Sequence, residues 1–159
     1  VDTLDRLIHQ FLLWTVAILI FTMMVVTFGQ VVARYGFSSS LSWSEELGRY
    51  LFVWITFIGL AAAFQSRAHV ALDFLVTLLP ARPSRGLVVL NALLVAVVGA
   101  ALVIGGLSLI KFGMNQRSAA LGLPMYLVYS VIPFSGSMLS YFALREAWRR
   151  AIPVRRADA

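Results

Sequence analysis

Phe11–Ala33 reads FLLWTVAILIFTMMVVTFGQVVA, twenty-three residues without a charge, a histidine or a proline. A helix that crosses a bilayer needs about 20 predominantly apolar residues at ~1.5 Å of rise each, so this stretch predicts a membrane span. It exceeds the ~7–15-residue apolar run of a signal peptide, Asp2 and Asp5 sit in its flank, and no A-x-A site follows. It therefore reads as a retained span. Three further stretches fit the same template. They are 45–64, 87–110 (LVVLNALLVAVVGAALVIGGLSLI) and 124–144 (PMYLVYSVIPFSGSMLSYFAL), alongside the first at 11–33. The last contains Pro133, Gly136 and four serines. Neighbouring helices and hydroxyls can satisfy the backbone groups that a proline frees, so a kinked span is expected there.

Composition agrees. Of 159 residues, 60% are hydrophobic and only 13% charged, whereas soluble domains carry roughly 25% charged residues. Mean hydropathy is +0.87. The expected fold is all-α: a single four-helix integral membrane domain over residues 1–159, with a short interfacial helix at about 70–79 between the second and third spans. That segment is apolar but too short to cross, and Pro80 and Pro83 end it. There is no cysteine, which removes disulfides, thiolate nucleophiles and Cys-based metal sites.

The basic residues give the orientation. With four spans both termini share a side, and that side holds nine arginines, at 6, 67, 82, 85, 145, 149, 150, 155 and 156. The other side holds four basic residues, Arg34, Arg49, Lys111 and Arg117. Positive loops stay inside, so both termini are expected in the cytoplasm, with loops 34–44 and 111–123 outside. The net charge of +6 is thus a topology signal, and no nucleic acid is expected as a partner.

Ionisable groups at membrane depth are functional candidates, and here they are scarce. The first and third spans have none, and the fourth holds only hydroxyls. A proton relay or ion path would need more. His9 and His69 lie at helix ends, so a haem held by two deep histidines is not expected; no cofactor, metal or enzymatic activity is predicted. The polar interest lies in Leu41–Trp54, LSWSEELGRYLFVW. Ser42 followed three residues later by Glu45 is a capping-box pattern, and acids suit the positive end of a helix. Arg49 can reach either Glu45 or Glu46 at helical spacing. Trp43, Leu47, Tyr50 and Trp54 form a second face, with Trp43 and Tyr50 suited to the headgroup level. The bland reading is a capped, neutralised helix start with an aromatic anchor. However, a span does not need two acids and an arginine for that, so part of the cluster is expected to face protein. Gly59 and Ala61–Ala63 suggest close helix packing. At the opposite end, His69 and Asp73 are four apart near Arg67, either as an interfacial ion pair or as a contact to headgroups or a partner.

These residues in this order resemble a known family. The loop ARYGFSSSLSWSEE (33–46), then Arg49, Gly59, Arg67, His69 and Asp73 before a proline, then QRSAALGLPMYLVYSVIPFSG (116–136), are similar to the small membrane subunit of TRAP transporters, the DctQ-like family. The resemblance covers essentially the whole chain. It implies a bacterial or archaeal inner-membrane subunit of an ion-gradient-driven symport system for organic acids. A large membrane subunit would carry the substrate and ion sites, and an extracytoplasmic binding protein would deliver substrate transiently. The small subunit would act as a scaffold. Arg34, Trp43, Glu45, Glu46, Arg49 and Trp54 are the expected outer cluster and subunit contact; Arg67, His69 and Asp73 are the expected cytoplasmic cluster. Two other readings of the composition are a membrane anchor for a redox enzyme and a small homo-oligomeric channel.

Overall fold

The computed structural model describes residues 3–36, 41–65 and 81–151. These form helices α1 (Thr3–Gly36), α2 (Ser42–Gln65), α3 (Ala81–Gly113), α4 (Met125–Tyr129) and α5 (Val131–Ala151). Four stretches are long and apolar enough to cross a membrane: Asp5–Gly36, Ser42–Gln65, Gly86–Gly113 and Met125–Arg149. Each overlaps one of the four apolar stretches read from the sequence and runs beyond it, the first by six residues at its N-terminal end. The interfacial segment expected at 70–79 lies outside the described residues. Among the described residues the only β pairing is an isolated antiparallel bridge between Arg117 and Pro124.

In the last span, where a kink is expected, the hydrogen-bonded helix is interrupted at Ser130, between α4 and α5, while the Ser130 backbone stays right-handed helical at φ −61°, ψ −24°. Pro133 has no N–H to donate to the carbonyl four residues back, and its ring crowds that carbonyl. The helix therefore stops and restarts, leaving Pro133 in the first turn of α5, where a missing donor costs little. The Ser130 N–H closes α4 on the Tyr126 carbonyl at 3.0 Å, and its hydroxyl donates to the Leu127 carbonyl at 2.7 Å.

The helices pack in the order α1–α2–α5–α3, with α4 seated on α3. Lipid tails are as apolar as leucine, so packing of this kind rests on close van der Waals contact and small residues. On α3, Ala92, Gly99, Gly106 and Gly113 recur every seventh residue, the repeat that keeps one seam facing a neighbour. A Cβ at Gly99 would lie 2.8 Å from the Gly136 carbonyl oxygen, and one at Gly136 would lie 2.7 Å from that of Gly99. A Cβ at Gly106 would lie 2.8 Å from Pro133 N, and one at Gly113 would lie 2.9 Å from Tyr126 N. Backbone thus meets backbone along α3, against α5 at Gly99 and Gly106 and against α4 at Gly113. The other face of α5 closes on α2 and α1 through Val131 and Phe142, packed with Ile58, Ala61, Ala62 and Leu12. There the buried Ser135 hydroxyl donates to the Phe57 carbonyl of α2. Gly59 itself has nothing within 4 Å of a Cβ; in α2 the close packing is carried by Ala61 and Ala62.

Candidate functional site

At the outer end predicted from charge, α2 starts immediately after Leu41. The Ser44 N–H and hydroxyl both bond to the Leu41 carbonyl, at 3.0 and 2.6 Å. Leu41 therefore occupies the flanking position that the capping-box pattern assigned to Ser42, and Glu45 is turned to another use. Its Oε1 accepts from Gln30 Nε2 of α1 at 3.2 Å.

Glu46 points the other way. It is buried, 6% exposed, and its carboxylate is enclosed by the loop between α3 and α4. The backbone N–H groups of Ala119, Ala120 and Leu121 donate to it at 3.2, 2.8 and 3.0 Å, and the Tyr50 hydroxyl donates at 2.6 Å. The loop is pre-shaped for this. Ser118 N donates to the Leu123 carbonyl at 2.8 Å, Leu123 N to the Ser118 hydroxyl at 3.2 Å, and Gly122 N to the Ser118 carbonyl at 3.1 Å. Gly122 takes φ +65°, a left-handed conformation open to glycine at little cost. The turn so formed aims consecutive N–H groups at one point, the arrangement that holds anions in backbone nests. Here the anion is the chain's own side chain. One turn on from Tyr50, Trp54 Nε1 donates to the Val128 carbonyl at 3.2 Å, across the end of α4. Glu46, Tyr50 and Trp54, spaced four apart on one face of α2, therefore fasten α2 to the α3–α4 loop and to α4.

Glu45 and Arg49 lie on a different side. With Gln30, Met23 and Phe52 they line a groove of about 610 Å³ between α1 and α2. Arg49 is exposed, and no ion pair joins it to Glu45 or Glu46 among the described contacts. Trp43 is exposed, and Arg34 is exposed in the last turn of α1. Arg67, His69 and Asp73 lie outside the described residues.

A second polar cluster, absent from the sequence-based candidates, closes the opposite end. Asp5, 5% exposed, takes ion pairs from Arg145 and, at 3.1 Å, from Arg149. The Gln65 amide donates to the Asp5 carbonyl at 2.7 Å, and Arg145 stacks over the Tyr141 ring at 5.7 Å. Three helices thereby meet at Asp5, α5 through its carboxylate and α2 through its backbone carbonyl. The sequence shows only half of this: Tyr141, Arg145 and Arg149 recur every fourth residue, but nothing in that spacing names Asp5 as their partner. Asp5→Asn should lower the thermal stability of the purified chain by about 1–2 kcal/mol. That lies between the limits for exposed and buried pairs, because the arginines are about a third exposed. Detergent or thermal unfolding measures it, and an unchanged transition would assign the cluster no structural weight.

Among the described residues no group of three or more His, Cys, Asp or Glu side chains could hold a metal. The family model of the DctQ component of tripartite ATP-independent periplasmic transporters matches residues 23–152. The chain belongs to this family. A Haemophilus influenzae protein described as a TRAP transporter small permease is 31% identical over 118 residues, which are 74% of this chain and 73% of that one. The C4-dicarboxylate TRAP transporter small permease protein DctQ of Rhodobacter capsulatus is 32% identical over 117 residues, covering 69% and 49% of the two chains. The isethionate TRAP transporter permease protein DctMQ of Oleidesulfovibrio alaskensis is 28% identical over 106 residues, 65% of this chain but 17% of that protein. The DctQ-family chain is a TRAP small permease subunit and a multi-pass membrane protein. The family match favours this over the redox-anchor and channel readings.

Proposed function

We propose that this subunit is the fixed scaffold of an ion-gradient-driven transporter that takes up a small organic acid across the bacterial or archaeal inner membrane. In this reading both termini are cytoplasmic. A large membrane subunit holds the substrate and ion sites, and an extracytoplasmic binding protein engages the outer face transiently. The subunit has no catalytic role. The carrying observation is that Glu46, the one buried acid at the outer end among the described residues, is engaged by three backbone N–H groups and the Tyr50 hydroxyl of its own chain. The charge that a coupled path would use is spent on holding helices together. Support for the partner comes from DctMQ, in which a stretch similar to this chain is a minor part of a longer permease. Its name and that of DctQ mention isethionate and C4-dicarboxylate, both small organic anions.

Arg34, Trp43, Glu45 and Arg49 are exposed around the outer ends of α1 and α2, which supports the assignment of this cluster to the large-subunit contact. Glu46 and Trp54 support it from inside by fixing α2. On the cytoplasmic side, Arg67, His69 and Asp73 are assigned to the interfacial segment. The test is Arg49→Glu. Uptake should be abolished and recovery of the large subunit with this chain should fall at least roughly tenfold, the scale of a hot-spot residue. Substrate affinity of the binding protein should be unchanged. Normal co-purification with that variant would remove the cluster from the interface.

A further inference from the structure

The two outer helices of the row present different surfaces. On α1, Trp14, Phe21, Phe28 and Tyr35 stand seven residues apart. A straight helix drifts only about 20° per seven residues, so the four rings fall within roughly 60° of arc. By the same arithmetic they lie opposite Leu12, Val16 and Leu19, which pack into the core. Trp14, Phe21 and Phe28 are 70%, 63% and 69% exposed. On α3 the exposed side chains are aliphatic, among them Leu94, Val97 and Ile104, with Phe112 at the end.

Attachment differs too. Only 6% of the most apolar window of α1 is buried, against 17% for α2 and for α3 and 44% for the last span. Leu12 is the one buried apolar side chain on its described length, so α1 makes the thinnest contact of the four spans. In a bilayer a helix is held by close packing, since lipid supplies no hydrophobic drive between helices. A file of rings with a seven-residue repeat fits a left-handed crossing of about 20° with another long helix. Large rigid aromatics are also what interface cores are enriched in. Aliphatic side chains spread around an arc need only lipid.

We propose that the ring file of α1 is the seat of a membrane-spanning helix of the large permease subunit, lying alongside α1 from Trp14 to Tyr35, while the exposed face of α3 meets lipid. This rests on the scaffold function proposed above. In DctMQ the matched stretch is part of one much longer permease chain, and that covalent neighbour favours the large subunit over a second copy of this chain as the occupant.

The test is photocrosslinking in the co-expressed transporter, with a benzophenone side chain replacing Phe21, Phe28 or, on α3, Ile104. Positions 21 and 28 should give adducts with the large subunit, and position 104 should not. Phe21→Ala combined with Phe28→Ala should lower recovery of the large subunit at least tenfold while leaving the thermal transition of this chain in place. Val97→Ala with Ile104→Ala should not. Adducts between two copies of this chain at position 21, or large-subunit adducts at 104 alone, would overturn the assignment of the face and leave the scaffold reading intact. If the unsubstituted chain recovers no large subunit, both fall.

Discussion

Glu46→Ala is expected to free the loop that follows α3. Three consecutive N–H groups at Ala119, Ala120 and Leu121, and the Tyr50 hydroxyl, lose their shared acceptor at once. The Ser118 carbonyl and hydroxyl beside them already accept from Gly122 and Leu123. A hydrogen bond to a charged group is worth about 1.5–3 kcal/mol and the opening equilibrium follows that free energy, so each of the three amides should lose hydrogen-exchange protection by roughly tenfold or more. Glu46→Gln should be nearly as damaging. The glutamine amide keeps one acceptor oxygen but turns an N–H₂ donor toward donors already in place. Tyr50→Phe removes one bond of the four and should be milder. Glu45→Gln should leave these amides untouched, since Glu45 bonds to Gln30 on the other side of the helix. Unchanged exchange in Glu46→Gln would show that the loop holds its shape without the carboxylate.

That contrast between adjacent glutamates marks the limit of what the sequence could show. Length and apolar run alone located the four spans, because a bilayer imposes a length on any helix that crosses it. The charge cluster at the start of α2 was also visible. What the sequence could not separate was Glu45 from Glu46. Local spacing made Arg49 the natural partner of both, whereas Glu46 bonds to Tyr50 one turn on and to three backbone N–H groups 73 to 75 residues away. Asp5 repeats the lesson, with its arginines 140 and 144 residues distant. A pairing of that range depends on which loops the bundle brings to the same end, and helical periodicity carries no such information. The small residues show it again. Gly59 was the glycine that drew notice, through its nearness to Ala61–Ala63, yet the tight seam runs along Gly99, Gly106 and Gly113 of α3. Their seven-residue spacing is legible in the sequence, but only the position of α5 shows which face that spacing serves.

Neighbouring glycines of α3 should therefore respond to the same substitution with opposite signs. At Gly106 a Cβ would lie 2.5 Å from Pro133 Cδ and 2.8 Å from Pro133 N, with Ile132 Cγ2 at 3.2 Å. A proline ring at the start of a helix cannot swing aside, and the backbone nitrogen cannot move without shifting α5. Gly106→Ala is thus an overpacking change and should cost about 1–3 kcal/mol. Its other effect, a gain in helix propensity, is smaller. At Gly105 nothing lies within 4 Å of a Cβ, so only propensity acts. Gly105→Ala should be neutral or stabilise by about 0.5–1 kcal/mol, because alanine loses less backbone freedom than glycine on forming a helix. Gly136→Ala should behave like Gly106→Ala, since its Cβ would lie 2.7 Å from the Gly99 carbonyl oxygen and 2.9 Å from Leu102 Cβ. Reversible unfolding of the purified chain in mixed detergent micelles measures all three. Equal effects at 105 and 106 would mean that α3 and α5 can separate without loss, and that the seam does not set the bundle. A sign change between adjacent positions would instead locate a close α3–α5 contact to within one residue.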